Sequence, residues 1–115
     1  MKGSFNLEEQ ESLQTIMGLI INGGNAKSDA MEAIQAAKTG DFDLAEQKLA
    51  DSDKALVEAH HSQTAMLTAE ASGEKMNLSL LLVHGQDHLM NAITFRDMAS
   101  EVVDVYKKIA GVTAE

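Results

Sequence analysis

Apolar side chains in the last third of the chain recur at helical spacing. At about 100° per residue, Leu78, Leu82, Gly85, Leu89, Ala92, Ala99 and Val103 fall on one seam, interrupted by Arg96. Ser79, Gln86, Asp97 and Asp104 form a narrow wet side. Opposite the seam runs a second apolar stripe, Leu80, Val83, Met90 and Met98, with Asp87 in its middle. Between seam and stripe, His84, His88, Asn91 and Phe95 line up at i, i+4, i+7 and i+11.

Two interior glycines punctuate the chain, in Thr39-Gly40-Asp41 and Ser72-Gly73-Glu74. A helix that ends at glycine and restarts at an aspartate is the expected stop-and-cap signal. The expected helices cover residues 6–38, 41–71 and 77–110, each roughly 45–50 Å long at 1.5 Å per residue. The first is expected to start at an Asn6 cap, with Glu9 completing a capping box. Gly23-Gly24 inside it reads as a kink or a point of close approach. Residues 1–5 and 111–115 are expected to fray. Short connections imply antiparallel neighbours, so the expected fold is all-α: an antiparallel three-helix bundle forming one domain over residues 1–115.

A helix in a lone three-helix bundle buries one face, and the third segment offers about two. Either the bundle wraps this helix deeply or other subunits cover the second stripe. The oligomer is the favoured expectation, because so small a chain has little spare core to hide.

Composition agrees with helices. The 115 residues include no proline, and aromatic residues make up only 3%, so a core must be aliphatic. The net charge of −9 disfavours nucleic acid and anionic membrane surfaces and favours a partner with a basic face. Without cysteine there is neither disulfide nor thiolate chemistry. The start of the chain does not read as a signal peptide, and apolar runs such as residues 78–83 are too short to span a bilayer. A soluble, cytoplasmic protein with no membrane insertion is expected.

Candidate chemistry centres on histidine. His84 and His88 project from one helix face at the edge of the expected interface, with Asp87 between them and the small Gly85 leaving room for an approaching group. A zinc-protease His-x-x-x-His site needs glutamate after the first histidine, where this chain has Gly85. Asp87, isolated in an apolar stripe, is costly unless paired, protonated or metal-bound. Three copies meeting at a threefold axis would crowd three such carboxylates, which a hard divalent cation such as Mg²⁺ would neutralise. On the second segment His60, Gln63 and Thr64 share a face that could form a polar wall for phosphate, while His61 reads as exposed surface. No glycine-rich phosphate loop, Ser/His/Asp pattern or basic-aromatic patch is present.

The stretch Val83-His84-Gly85-Gln86-Asp87-His88-Leu89-Met90 resembles the signature of the lactose/cellobiose class of phosphotransferase-system IIA proteins. Glu58-Ala59-His60 with Gln63-Thr64 resembles that family's second block, and the similarity runs from about Leu13 to Ala110. The resemblance implies a homotrimer of three-helix subunits in which His84 accepts phosphate at Nε2 from the phosphocarrier HPr. It implies that His84 then delivers phosphate to a cysteine of the cognate IIB protein. It also implies that Asp87 meets its symmetry mates around a metal. His88, Gln63, Thr64 and His60 become candidate phosphoryl-stabilising groups. The sugar, a β-linked disaccharide such as cellobiose, chitobiose or lactose, is not fixed by this chain. Two other readings compete: a non-catalytic helical adaptor with structural histidines, and a metal-binding bundle enzyme. The latter is weakened because only Asp87 clearly points inward.

Overall fold

A computed structural model describes residues 7–112 of the chain, which form three helices: α1 (Leu7–Lys38), α2 (Phe42–Ala71) and α3 (Leu80–Ile109). The Asn6 cap, and the Glu9 side chain expected to complete its box, lie outside the described residues. All three helices end on the same device. Gly40, Gly73 and Gly111 adopt left-handed φ of 84°, 101° and 79°, where a side chain would be strained. Each ending carries the paired 6→1 and 5→2 hydrogen bonds of a Schellman motif, such as Asp41 N to Ala36 O at 2.9 Å and Gly40 N to Ala37 O at 3.0 Å. The same motif holds Gly111 and Val112 (Val112 N to Lys107 O, 2.8 Å), so the expected fraying at 111 and 112 gives way to an ordered cap. Residues 113–115 lie outside the described region.

Helix starts follow side-chain caps. Asp41 Oδ1 accepts from Leu44 N at 3.1 Å, and Ser79 Oγ accepts from Leu82 N at 3.1 Å. The Ser79 cap places the start of α3 at Leu80, later than the expected residue 77, and residues 74–79 are non-helical. Leu78 is therefore corrected: it precedes the helix and is 84% exposed instead of lying on the core seam.

The helices form a slab of 62 × 29 × 18 Å rather than a round bundle. α1 lies in the middle, packed along both α2 and α3, while α2 and α3 share much less with each other. Sequence explains this. The buried side of α1 reads Ile16, Leu19, Gly23, Ala26, Ala30, Ala33, Ala36 and Ala37, and side chains this small let two neighbours approach one helix closely. One core cluster joins Ala30, Ala33 and Ala37 to Ala45, Leu49, Ala99 and Val103; a second joins Leu19, Ala59 and Leu89. Ser52 of α2 is fully buried against α1, and its hydroxyl donates to Ala26 O at 2.8 Å.

The α2–α3 seam is instead bridged by polar ties. Arg96, which interrupts the apolar seam of α3, reaches Asp53 with Nε at 2.7 Å and Nη2 at 2.9 Å. Gln86 is corrected in the same way: it is half-buried, and its Oε1 accepts from Gln63 Nε2 at 2.7 Å instead of facing water. The other three residues assigned to the wet side, Ser79, Asp97 and Asp104, are exposed. The second stripe is uncovered within one chain: Leu80, Val83, Met90 and Met98 are 85%, 56%, 51% and 57% exposed. Deep wrapping by the bundle is thus excluded, and Val105 and Ile109 prolong the uncovered stripe.

Candidate functional site

The first three turns of α3 carry the histidine pair. His84 is exposed and His88 half-buried. One turn apart, their rings meet edge to face with centroids 4.5 Å apart and planes at 75°. Among the described residues no hydrogen bond ties the His84 ring, which leaves both its nitrogens available to a partner.

Behind the pair stands α1. Gly85 is buried, and a Cβ on it would lie 3.5 Å from Ile16 Cγ2, Ile16 O and Leu19 Cβ. That corrects the expectation that Gly85 opens space beside His84: the glycine faces the core, so access to His84 comes from the helix's own exposed side. The expected close approach at Gly23-Gly24 occurs at Gly23, which faces the His88 and Leu89 backbone, while Gly24 faces open space.

The polar wall expected from α2 does not face His84 within one chain. Gln63 is engaged with Gln86, and its amide nitrogen also lies 3.9 Å from Met90 Sδ. His60 lines a shallow depression with Asp53, Leu56, Val57 and Ile93, and Thr64 is exposed. His61 is exposed, as expected.

Asp87 is exposed on the uncovered stripe, and its backbone carbonyl accepts from Asn91 Nδ2 at 3.1 Å. Among the described residues no group of three or more His, Cys, Asp or Glu side chains converges on a point where a metal could sit. A hard cation such as Mg²⁺ takes about six oxygen ligands. One carboxylate falls well short, so the residues fit such an ion only if other copies bring their own Asp87 to it.

One feature of the surface was not legible from helical periodicity. Met66, Leu67 and Glu70 of α2, Met76 and Leu78 of the connection, and Val83 of α3 line an apolar groove beside the histidine turn. Glu11 and Glu74 lie on the far side of Met66 and Met76. The signal was the alternation Met76-x-Leu78-x-Leu80, an extended segment rather than a helix start.

A solvent-facing imidazole on a helix, beside a second imidazole, could react at nitrogen: neutral histidine is a competent nucleophile near pH 7. The fold and site thus define a class, that of small helical proteins with an exposed histidine on one helix face. Residues 14–107 match the family described as "PTS system, Lactose/Cellobiose specific IIA subunit". The chain is 52% identical to the lichenan-specific phosphotransferase enzyme IIA component of Bacillus subtilis over 100 residues, 87% of this chain and 91% of that protein. The crystal structure of the cellobiose-specific enzyme IIA from Bacillus anthracis superposes with a TM-score of 0.84 at 49% identity, covering 85% of this chain and 90% of that one. The IIA(chitobiose) chain in a solution structure of its complex with HPr, from Escherichia coli, superposes with a TM-score of 0.70 at 39% identity, covering 93% and 99%. The chain belongs to the lactose/cellobiose-specific IIA family of the sugar phosphotransferase system. Among the described residues, no helix is long and apolar enough to cross a membrane.

Proposed function

We propose that this chain is a phosphocarrier that accepts a phosphoryl group from phospho-HPr on His84 and passes it to a cysteine of a IIB protein, in the uptake of a β-linked disaccharide. The observation that carries this reading is the exposed His84 ring, free of hydrogen bonds among the described residues and met edge-on by His88. In each transfer the Nε2 lone pair of His84 forms the new N–P bond as the donor's bond to phosphorus breaks. The reverse attack, by the acceptor thiolate, returns His84 to neutral imidazole. Such transfers need positioning and charge stabilisation more than covalent assistance. The His88 ring, one turn on, would donate a hydrogen bond to the phosphoryl oxygens.

The complex of the Escherichia coli relative with HPr supports HPr as the donor. The net charge of −9, with Glu11, Glu70 and Glu74 near the apolar groove, suits a partner whose face is basic around an apolar centre.

The working form is a homotrimer. Its support is the uncovered stripe of α3, which only other subunits can bury. Three Asp87 carboxylates brought together on the axis would hold a divalent cation, most simply Mg²⁺, that offsets their repulsion. The same assembly would carry His60, Gln63 or Thr64 of a neighbouring copy toward His84, a placement that a single chain does not make.

The test is incubation with phosphoenolpyruvate, enzyme I and HPr. One acid-labile, base-stable phosphate per chain is expected. A chain that stays unlabelled under conditions that charge HPr would overturn the reading in favour of a non-catalytic helical adaptor.

A further inference from the structure

We infer that Gly23 is a positioning residue for the histidine pair: lacking a Cβ, it seats the His88 backbone directly on α1 and so sets where His88 and His84 stand. A Cβ built on Gly23 would lie 3.3 Å from His88 O, 3.4 Å from His88 C and 3.5 Å from Leu89 N. All three are backbone atoms, which cannot swing aside as the end of a side chain can. The contact therefore passes to the whole turn of α3. From there it passes to the His88 ring, and from that ring, edge-on at 4.5 Å, to His84.

Three observations separate this seat from ordinary packing. Gly23 is not among the glycines with positive φ, so conformational freedom does not explain it. Glycine inside a helix costs stability relative to alanine, a cost that only the close approach offsets. The adjacent Gly24 has no atom within 4 Å of its would-be Cβ. Gly24 shares the helix and the propensity cost but lacks the seat, which makes it an internal control. Gly85, the reciprocal contact from α3 to α1, meets its neighbours at 3.5 Å, ordinary van der Waals distance, and has more tolerance for a methyl group.

Alanine at position 23 would push the His88 turn outward by a few tenths of an ångström. Misplacement of about 1 Å can cost on the order of 100-fold in a reaction that depends on alignment. A shift of tenths corresponds to roughly a 3- to 10-fold loss.

The rate consequence rests on the proposed function; the seat itself does not. Two readouts on Gly23→Ala and Gly24→Ala therefore test it. One is the NMR resonances of the His84 and His88 rings; the other is single-turnover phosphorylation as a function of phospho-HPr concentration. Gly24→Ala should keep wild-type ring resonances and rate while melting at a slightly higher temperature. Gly23→Ala should shift both sets of ring resonances and lower the limiting rate several-fold, leaving the half-saturating concentration of phospho-HPr unchanged. Ring resonances and rate that match Gly24→Ala would overturn the inference. So would loss of helical circular dichroism in Gly23→Ala, which would make the glycine a folding requirement instead. If wild type takes up no phosphate at His84, the proposed function falls, and the ring resonances still decide the seat.

Discussion

The two ends of the slab are built to different standards. At one end α1 passes into α2 through the tight Gly40 turn, and α3 finishes beside them. There Ala30, Ala33, Ala45, Leu49, Ala99 and Val103 interlock, with Phe42, Phe95 and Tyr106 laid against them. Lys107 is buried at that end, its ammonium 2.6 Å from Glu46. At the other end the connection of residues 74–79 is extended, and Leu67, Leu78, Leu80 and Val83 stand more than half exposed. The histidine pair belongs to this unfinished end. The completed end carries the larger core cluster, and the unfinished one sets exposed apolar side chains beside the histidine pair.

The sharpest way to break that division is to remove the chemistry alone. His84→Ala should abolish phosphate uptake while changing stability by no more than about 0.5 kcal/mol, because an exposed side chain contributes little to packing. His60→Ala, on a different surface, should still be labelled. Full labelling of His84→Ala in the enzyme I and HPr assay would remove His84 as the acceptor.

The converse substitution attacks the completed end. Leu49 is 4% exposed, and Leu49→Ala should cost about 2–4 kcal/mol by leaving a cavity. Labelling at temperatures where the protein stays folded should be normal. Denaturant melts and labelling on one sample measure both.

A third substitution tests what the unfinished end is for. Wild type should scatter light as a particle of roughly 37 kDa, three times the 12.4 kDa chain. Leu80→Asp should shift it toward monomer without unfolding it. A wild type that is monodisperse as a monomer at micromolar concentration would remove the trimer and with it the axial metal.

Asp87 gives a smaller, conditional effect. At neutral pH without metal, three axial carboxylates oppose association, so EDTA should lower the melting temperature of wild type and Mg²⁺ should raise it. Asp87→Leu should melt at least as high as wild type and ignore both additions, since apolar packing often replaces a buried ionic cluster without loss. Identical wild-type curves in EDTA and Mg²⁺ would dispose of the axial site.

The smallest effect concerns Asp29. Burial raises its carboxyl above the ordinary 3.8, against the attraction of Lys48 and together with the nearby charges of Asp51 and Glu32. The folded chain then holds this proton to higher pH than the unfolded chain does. Asp29's share of stability therefore falls as pH rises from 3.8 through its folded value. Asp29→Asn should melt slightly higher than wild type at neutral pH, with the difference vanishing below that range. A variant that melts lower at neutral pH would show that the Lys48 attraction outweighs burial.

Helix number, the stops at Gly40 and Gly73 and the uncovered stripe of α3 were legible because each rests on local spacing or on one glycine. The errors share a cause: a helical wheel assigns faces without knowing which neighbour fills them. It carried Leu78 into the core because it did not begin the helix at the Ser79 cap. Gln86 was left in water because its partner, Gln63, is 23 residues away. The wheel put Gly85 on the buried seam, where it lies; the reading of it as room beside His84 came from its size alone and overlooked Ile16 and Leu19 of α1. Where His60, Gln63 and Thr64 lie relative to His84 depends on packing between helices, which periodicity within one helix does not specify.

The middle position of α1 also bears on how the chain acquires its shape. α1 and α2 are joined by a tight turn, so their pairing closes a short loop and should form early; α3, arriving across residues 72–79, must dock on a hairpin already made. Because α2 and α3 share much less with each other than either shares with α1, either can loosen while the other stays on α1. Amide hydrogen exchange should therefore be slowest in α1 and fastest in the opening turns of α3. His84 would then ride on the most readily opened part of the chain, held down where α1 touches it.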